Sequence, residues 1–299
     1  MVKAEDGARI LMCAPEHFAV SYAINPWMDP GSWARDDVAL GTAARREWAA
    51  LHRTLGDSGA AIELLPSAHG VPDLVFTANA AVVLDGIALL ARFRHAERRR
   101  EEPHVETAFR RLQTHGLIDA VRLMPEGVAL EGAGDCVFDS ARNLFWMGYG
   151  PRSDLAARPI VAETFGQDVV ALELADPRFY HMDTAFSPLP RGETMYVPGA
   201  FTAEGLAAIR QRVHPEQRIE LAGDDAVRLA ANAVAIGDTI VMSSCSNRLR
   251  SILRERGYRV RTTGLGSFLR SGGSAFCLTL RLDRRSATAS NAERRTAVA

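Results

Sequence analysis

Apolar and polar positions along this chain fall into a unit of about 50 residues that recurs roughly five times. Each copy reads as an amphipathic helix, a short strand, a polar loop and two apolar runs joined by a turn. In the clearest copy the strand Ala61-Ile62-Glu63-Leu64-Leu65 precedes an apolar run over 76–84, a turn at Asp85-Gly86 and a return run over 87–91. A helix predicted near 105–115 leads to a strand over 120–124, and 131–138 turns back through 144–148. Helices predicted near 153–165, 203–213 and 247–256 head the later copies, with turns at Pro190-Arg191-Gly192 and Gly237-Asp238.

An ordinary α/β sheet with hairpins would account for much of this pattern. The residues at the hairpin entrances favour a ring instead. Asn79, Asp135, Asp183, Asn232 and Cys277 stand there, and in a ring those entrances converge on one axis, a common place for a site. The apolar run after Cys277 can pair with the first strand, 8–13, and close the ring. The pattern therefore points to an α/β ring with pseudo-fivefold repeats. The segment 17–33 has little periodicity and carries the turn signals Asn25-Pro26-Trp27 and Asp29-Pro30-Gly31, so it reads as a long loop over a site. Residues 1–284 are expected to form one catalytic domain. Residues 285–299, without periodicity, are expected to be a disordered tail.

Composition narrows the partners. The 299 residues are 47% hydrophobic and 24% charged with a net charge of −1, as in an ordinary globular protein. No basic stripe interleaves with aromatics, which argues against nucleic acid or a membrane surface. The N-terminus lacks signal-peptide features, and no apolar run is long enough for a bilayer. The four cysteines have no CxxC spacing, which fits a reducing, cytoplasmic setting. No metal-ligand spacing and no phosphate or dinucleotide loop is present, so neither a metal nor a cofactor is expected.

Candidate chemistry centres on Gly272-Gly273-Ser274-Ala275-Phe276-Cys277. A glycine pair permits close approach of chain or ligand. Most free cysteines are small buried hydrophobes, and a single histidine is usually a surface or hydrogen-bonded residue. What raises Cys277 is its company: Glu131 in a glycine-flanked loop, and His181 and Asp183 on one short segment. On separate loops of a ring these residues could supply a nucleophile, a proton shuttle and an orienting anion.

Four segments carry a family resemblance: Phe76-Thr77-Ala78-Asn79-Ala80, Glu131-Gly132-Ala133-Gly134-Asp135, Tyr180-His181-Met182-Asp183-Thr184 and Gly272-Gly273-Ser274-Ala275-Phe276-Cys277-Leu278-Thr279-Leu280. Together they resemble the guanidino-group-modifying, amidinotransferase-like superfamily, whose fold is the five-bladed α/β propeller (pentein). Tyr22-Ala23-Ile24-Asn25-Pro26-Trp27-Met28, Pro72-Asp73-Leu74-Val75, Ala91-Arg92-Phe93 and Gly148-Tyr149-Gly150-Pro151-Arg152-Ser153 most resemble its arginine dihydrolase branch. The bifunctional members carry a further C-terminal domain, and this chain is expected to end before one.

The resemblance implies a cofactor-free, cysteine-dependent hydrolase of a small guanidino substrate. Cys277 would attack the central carbon, His181 would move protons, and Glu131 would bind an edge of the guanidinium. Asp135 and Asp183 would assist or brace their loops. Asn79 takes the place of a common deiminase aspartate and would hold the neutral ureido group of citrulline, so that arginine yields ornithine, carbon dioxide and two ammonia. Asn25 is carried over as a second positioning amide, Arg92 and Arg152 as partners of the α-carboxylate, and Phe76 as a substrate-side residue. Homo-oligomerisation is left open. Ser267 and Phe276 depart from the relatives, which commonly have glutamate and lysine there. Weighed beside the dihydrolase are an arginine deiminase, a dimethylarginine-type hydrolase giving citrulline, a hydrolase of another guanidino compound, an amidinotransferase and a non-catalytic guanidino-binding protein.

Overall fold

The computed structural model describes residues 7–289. Its strands form five three-stranded sheets of one design. In chain order the strands are β1 Arg9–Cys13, β2 Ala61–Leu65, β3 Ala81–Leu84, β4 Ile87–Leu90, β5 Ala120–Leu123, β6 Cys136–Asp139, β7 Leu144–Tyr149 and β8 Asp168–Glu173. There follow β9 Phe186–Pro188, β10 Thr194–Tyr196, β11 Arg218–Glu220, β12 Val234–Ile236, β13 Thr239–Met242, β14 Arg259–Thr262 and β15 Leu280–Arg281. In each sheet a leading strand pairs antiparallel with a central strand, and the central strand pairs parallel with a third. A parallel neighbour needs a crossover, and a helix supplies it in each sheet: Asp37–Gly56, Glu102–Thr114, Ala157–Phe165, Ala203–Arg212 and Asn247–Glu255.

The fifth sheet joins the two ends of the chain. β15 pairs antiparallel with β1 through Ile10↔Arg281 and Leu11↔Leu280, and β1 pairs parallel with β2. This is the closure expected from the apolar pattern. Local chemistry explains the elements. Asp85 and Gly86 both have positive φ, 52° and 75°, as a two-residue hairpin turn demands. In the helix Glu102–Thr114 the buried residues are Val105, Phe109 and Leu112, one apolar face at helical spacing. Ser246 and Thr202 cap their helices by accepting from the N–H groups of Leu249 and Gly205.

Three expectations need correction. The run 76–84 is not one strand: Thr77–Ala80 is a helical turn and the strand begins at Ala81. Gly132–Asp135 and Met182–Ala185 are matching turns, so the entrance residues stand on turns that leave the sheet plane. Segment 17–33 is more than a covering loop. Phe18, Met28 and Trp33 are buried in one core cluster with Phe76 and Phe268, and Pro30–Arg35 is a helix capped by Asp29. Third, the part of the expected tail that is described is anchored. The Ser286 N–H donates to Asp85 at 2.7 Å and the Ala287 N–H to Asn143 at 2.8 Å. The remainder of that expected tail, 290–299, lies outside the described residues. Among the described residues no helix is long and apolar enough to cross a membrane.

Candidate active site

The turns that precede the leading strands bring Asn79, Asp135, His181, Asp183, Asn232 and Cys277 inward, and all six are at most 2% exposed. Cys277 Sγ lies 3.0 Å from Asn232 Nδ2 and 3.2 Å from Asp183 Oδ2. Burial, and then Asp183, push the thiol pKa well up, so the resting sulfur is a thiol. Burial raises Asp183 to about 7, although its contacts with Cys277 and Asn232 pull the other way. Asp183 Oδ1 is buried without a hydrogen-bond partner. A cation seated there would restore the carboxylate and lower the thiol pKa beside it.

Glu131 is placed differently from its expected role at a guanidinium edge. Its Oε2 is shared by His181 Nε2 at 2.8 Å and Arg152 Nη1 at 2.9 Å, and its Oε1 accepts the Arg94 N–H at 3.2 Å. Burial alone would raise this carboxyl. Arg152 and the His181 hydrogen bond overturn that and hold it well below the usual range. A carboxylate only accepts, so His181 Nε2 carries the hydrogen and Nδ1 is the free base. His181 Nδ1 is buried with no partner, and burial lowers the imidazole pKa to about 4 against the pull of Glu131. This is a neutral base aimed by an anion. Asp135 is a brace: its Oδ2 accepts from Ser153 Oγ at 2.6 Å and its Oδ1 from the Met182 N–H at 3.0 Å.

Asn79 sits close to His181 across Gly134, where an added Cβ would fall 2.1 Å from Asn79 Nδ2 and 3.5 Å from His181 Nδ1. Its Oδ1 accepts from Arg98 Nη1 at 2.8 Å. Arg98 is fully buried and is held by Glu101 through two 2.8 Å contacts. Neither Arg98 nor Glu101 was picked out from the sequence. Asp73, also missed as a site residue, is buried and accepts from Tyr22 Oη at 2.8 Å. Burial raises its pKa, with Arg98 opposing.

Arg92 is not brought to this cluster. Its guanidinium meets Glu102 at 3.2 Å and the Met124 carbonyl at 3.2 Å. Arg152 does reach it, stacked 4.6 Å from the Tyr180 ring centroid and donating to the Ile24 carbonyl at 3.2 Å. Asn25 is occupied in tying segment 17–33 down: its Nδ2 donates to Ser271 O at 3.1 Å and its Oδ1 accepts the Trp27 N–H. The glycine pair is as tightly enclosed as its type suggests. Gly272 has φ +79°, and an added Cβ would meet Tyr180 at 2.7 Å and Trp27 at 2.8 Å. At Gly273 it would meet the Phe76 ring at 2.3 Å. Ser267 lies inside the helical turn Gly266–Leu269, its backbone N–H donating to Glu47 at 2.9 Å. No cluster of three or more histidine, cysteine or acidic side chains suited to a metal occurs among the described residues.

A buried thiol, an imidazole on a carboxylate and an amide on an arginine, set on five three-stranded sheets of one design, fit the guanidino-group-modifying superfamily. The comparisons refine this. The family model for eukaryotic N,N dimethylarginine dimethylhydrolase matches residues 15–284, and the chain belongs to this family. It is 43% identical over 277 residues to the bifunctional arginine dihydrolase/ornithine cyclodeaminase ArgZ of Synechocystis sp., covering 93% of this chain and 38% of that protein. It is 35% identical over 277 residues to the N(G),N(G)-dimethylarginine dimethylaminohydrolase of Mycobacterium tuberculosis, covering 92% of this chain and 85% of that protein. The crystal structure of the N-terminal domain of ArgZ, a cysteine-to-serine mutant bound to substrate, matches with TM-score 0.86 at 41% identity, over 93% of this chain and 99% of that one. The chain thus spans little more than a third of the length of the bifunctional relatives it matches.

Proposed function

We propose that this chain, as one five-bladed α/β propeller (pentein) domain acting in the cytoplasm, hydrolyses arginine twice, to ornithine, carbon dioxide and two ammonia. One observation carries the second hydrolysis: Arg98 occupies Asn79 Oδ1 at 2.8 Å. Arg98 only donates, so the amide oxygen must face it and Nδ2 faces away, donating one hydrogen to the Glu131 carbonyl at 3.5 Å and keeping the other for a ligand. A guanidinium offers only donors, whereas the ureido group of citrulline offers a carbonyl oxygen. The fixed donor therefore suits the intermediate that must be attacked again.

In the first round the guanidinium pairs with Asp183 and helps to ionise Cys277, whose proton passes to His181. The thiolate forms a bond to the central carbon. The imidazolium returns its proton to one nitrogen, which leaves as ammonia, and an S-alkyl thiouronium remains. Neutral His181 then takes a proton from water, the hydroxide adds, and the thiolate departs to leave citrulline. In the second round the thiolate adds to the ureido carbon and expels ammonia. Water cleaves the resulting thiocarbamate to a carbamate, which loses carbon dioxide to give ornithine. Covalent catalysis divides each substitution into two easier steps, and a positioned acid–base contributes roughly 10²–10⁴-fold. Glu131 aims the imidazole and stabilises its protonated form.

The matched dimethylarginine family model favours a second reading, a hydrolase that stops at citrulline. Product analysis separates them. With arginine, the first reading expects ornithine and about two ammonia per turnover. Citrulline with one ammonia, or turnover of dimethylarginine alone, would reject it. Full activity in Cys277→Ala would reject the covalent route in both.

A further inference from the structure

Among the described residues six buried side-chain nitrogen or oxygen atoms make no hydrogen bond. Two of them, His181 Nδ1 and Asp183 Oδ1, already belong to the candidate site. A third, Ser274 Oγ, stands three residues ahead of Cys277, on a side chain that is 0% exposed. The Ser274 carbonyl accepts the Leu278 N–H at 3.3 Å, which opens a helical turn. A serine at the head of such a turn ordinarily caps it, its oxygen accepting an N–H two or three residues on. Here Asn232 has taken both of those donors. The Phe276 N–H donates to the Asn232 carbonyl at 3.4 Å, and the Cys277 N–H to Asn232 Oδ1 at 3.1 Å. The hydroxyl of Ser274 is thereby released from its local task. The nearby hydroxyl of Thr279 is not: it donates to the carbonyls of Ala275 and Phe276 at 3.3 and 2.9 Å. The Ser274 backbone is hydrogen-bonded to the Cys277 sulfur, so the free hydroxyl is held beside the nucleophile.

We propose that Ser274 is a further substrate-contacting residue, whose hydroxyl binds the group on the carbon that Cys277 attacks. The inference rests on the proposed arginine activity. A buried hydroxyl without a partner is costly and calls for an explanation, and a substrate atom supplies one. A hydroxyl both accepts and donates, and it rotates to suit. It can accept an N–H from the guanidinium in the first round and turn to donate to the ureido oxygen of citrulline in the second. The Asn79 amide, fixed by Arg98 at 2.8 Å, has no such freedom. As the thiolate adds to the ureido carbon, that oxygen gains negative charge, and a donor already in place stabilises it.

Calorimetric titration of arginine and of citrulline into Cys277→Ala, with and without Ser274→Ala, needs no turnover. We expect both dissociation constants to rise about fivefold when the hydroxyl is removed. The Tm without ligand should stay level or rise, because the hydroxyl has no partner to lose in the free protein. Unchanged dissociation constants overturn the proposal, whether the ligand-free Tm falls or holds. A crystal of Cys277→Ala with citrulline decides independently, even where the double variant does not fold. Oγ within hydrogen-bond distance of the ureido group is expected, and Oγ bonded only to an ordered water or to protein rejects the contact. Product analysis of the wild type reads the proposed activity separately. Ornithine from arginine with unchanged constants defeats this inference alone, whereas citrulline as final product with raised constants defeats the second hydrolysis alone.

Discussion

Asn232 holds Cys277 at two points: its Nδ2 lies 3.0 Å from Sγ, and its Oδ1 accepts the Cys277 N–H at 3.1 Å. The same Nδ2 also donates to the Asp183 carbonyl at 3.2 Å. Burial and Asp183 drive the thiol pKa up, and Asn232 is among the groups that pull it down. Removing this donor leaves a developing thiolate less supported. We predict that Asn232→Ala raises the thiol pKa and lowers kcat by roughly 10–100-fold. The pH dependence of alkylation by iodoacetamide checks the first part. An unchanged alkylation profile would mean that Asn232 only shapes the backbone.

Asn232, Asn79, Asp183 and Cys277 were legible in the sequence because the repeat places them at equivalent hairpin entrances. Arg98 was not. It lies in the run His95-Ala96-Glu97-Arg98-Arg99-Arg100-Glu101, which reads as a solvated charged face. Only the fold reveals that Arg98 and Glu101 turn inward together, each 2% exposed. The usable signal was the i,i+3 spacing of opposite charges. Arg92, chosen for the motif around it, sits a few residues away on an isolated bridge to Leu130. The helical turns at the entrances were hidden for a related reason: four residues are too few to show a period.

This difference gives a paired prediction. Arg98→Met frees Asn79 and leaves Glu101 buried without its counter-ion. It should lower Tm, since breaking a buried pair costs about 3–5 kcal/mol of stability, and should cost kcat/KM about 100-fold because the amide of Asn79 loses the contact that orients it. Arg92→Met breaks a part-exposed pair and should change KM for arginine by no more than about threefold. Steady-state kinetics on both variants decide, and the reverse order of effects would return Arg92 to the site.

The raised pKa of Asp183 has a signed consequence for stability. Its native value of about 7 lies above its unfolded 3.8. Between about pH 4 and 7 the native state keeps a proton that the unfolded state has lost, so this group's contribution falls as pH rises. His181, lowered from 6.5 to about 4, acts oppositely: its contribution is present above 6.5 and is lost as pH falls towards 4. In Asp183→Asn only the opposing slope remains. Calorimetry without substrate should show the variant gaining Tm relative to wild type from pH 4 to 7, on the order of 5 °C. A constant difference would place the Asp183 pKa near its ordinary value.

Gly273 and Phe76 test the wall of the site. An added Cβ at 273 would lie 2.3 Å from Phe76 Cε1, and Gly273 has no positive φ, so the conflict is steric. Gly273→Ala should destabilise by about 1–3 kcal/mol, and adding Phe76→Leu should recover part of the loss in Tm. Gly272→Ala, strained by φ +79° as well, should not be recovered that way.

The branch between one hydrolysis and two rests on a single amide. In Asn79→Asp both side-chain oxygens accept. One would stay on Arg98, and the other could take an N–H from a guanidinium but could offer no hydrogen to the ureido oxygen of citrulline. The first round should survive while the second slows at least about tenfold, a loss of ~1.4 kcal/mol from the second transition state. Citrulline should then accumulate, and ammonia per arginine should fall from about two towards one. Amino-acid analysis with an ammonia assay reads both quantities in one experiment. The same variant supplied with citrulline should be slow from the start, which separates a lost second step from early release of the intermediate. If the ratio of ornithine to citrulline does not move, the donor face of Asn79 is not what commits the enzyme to its second attack.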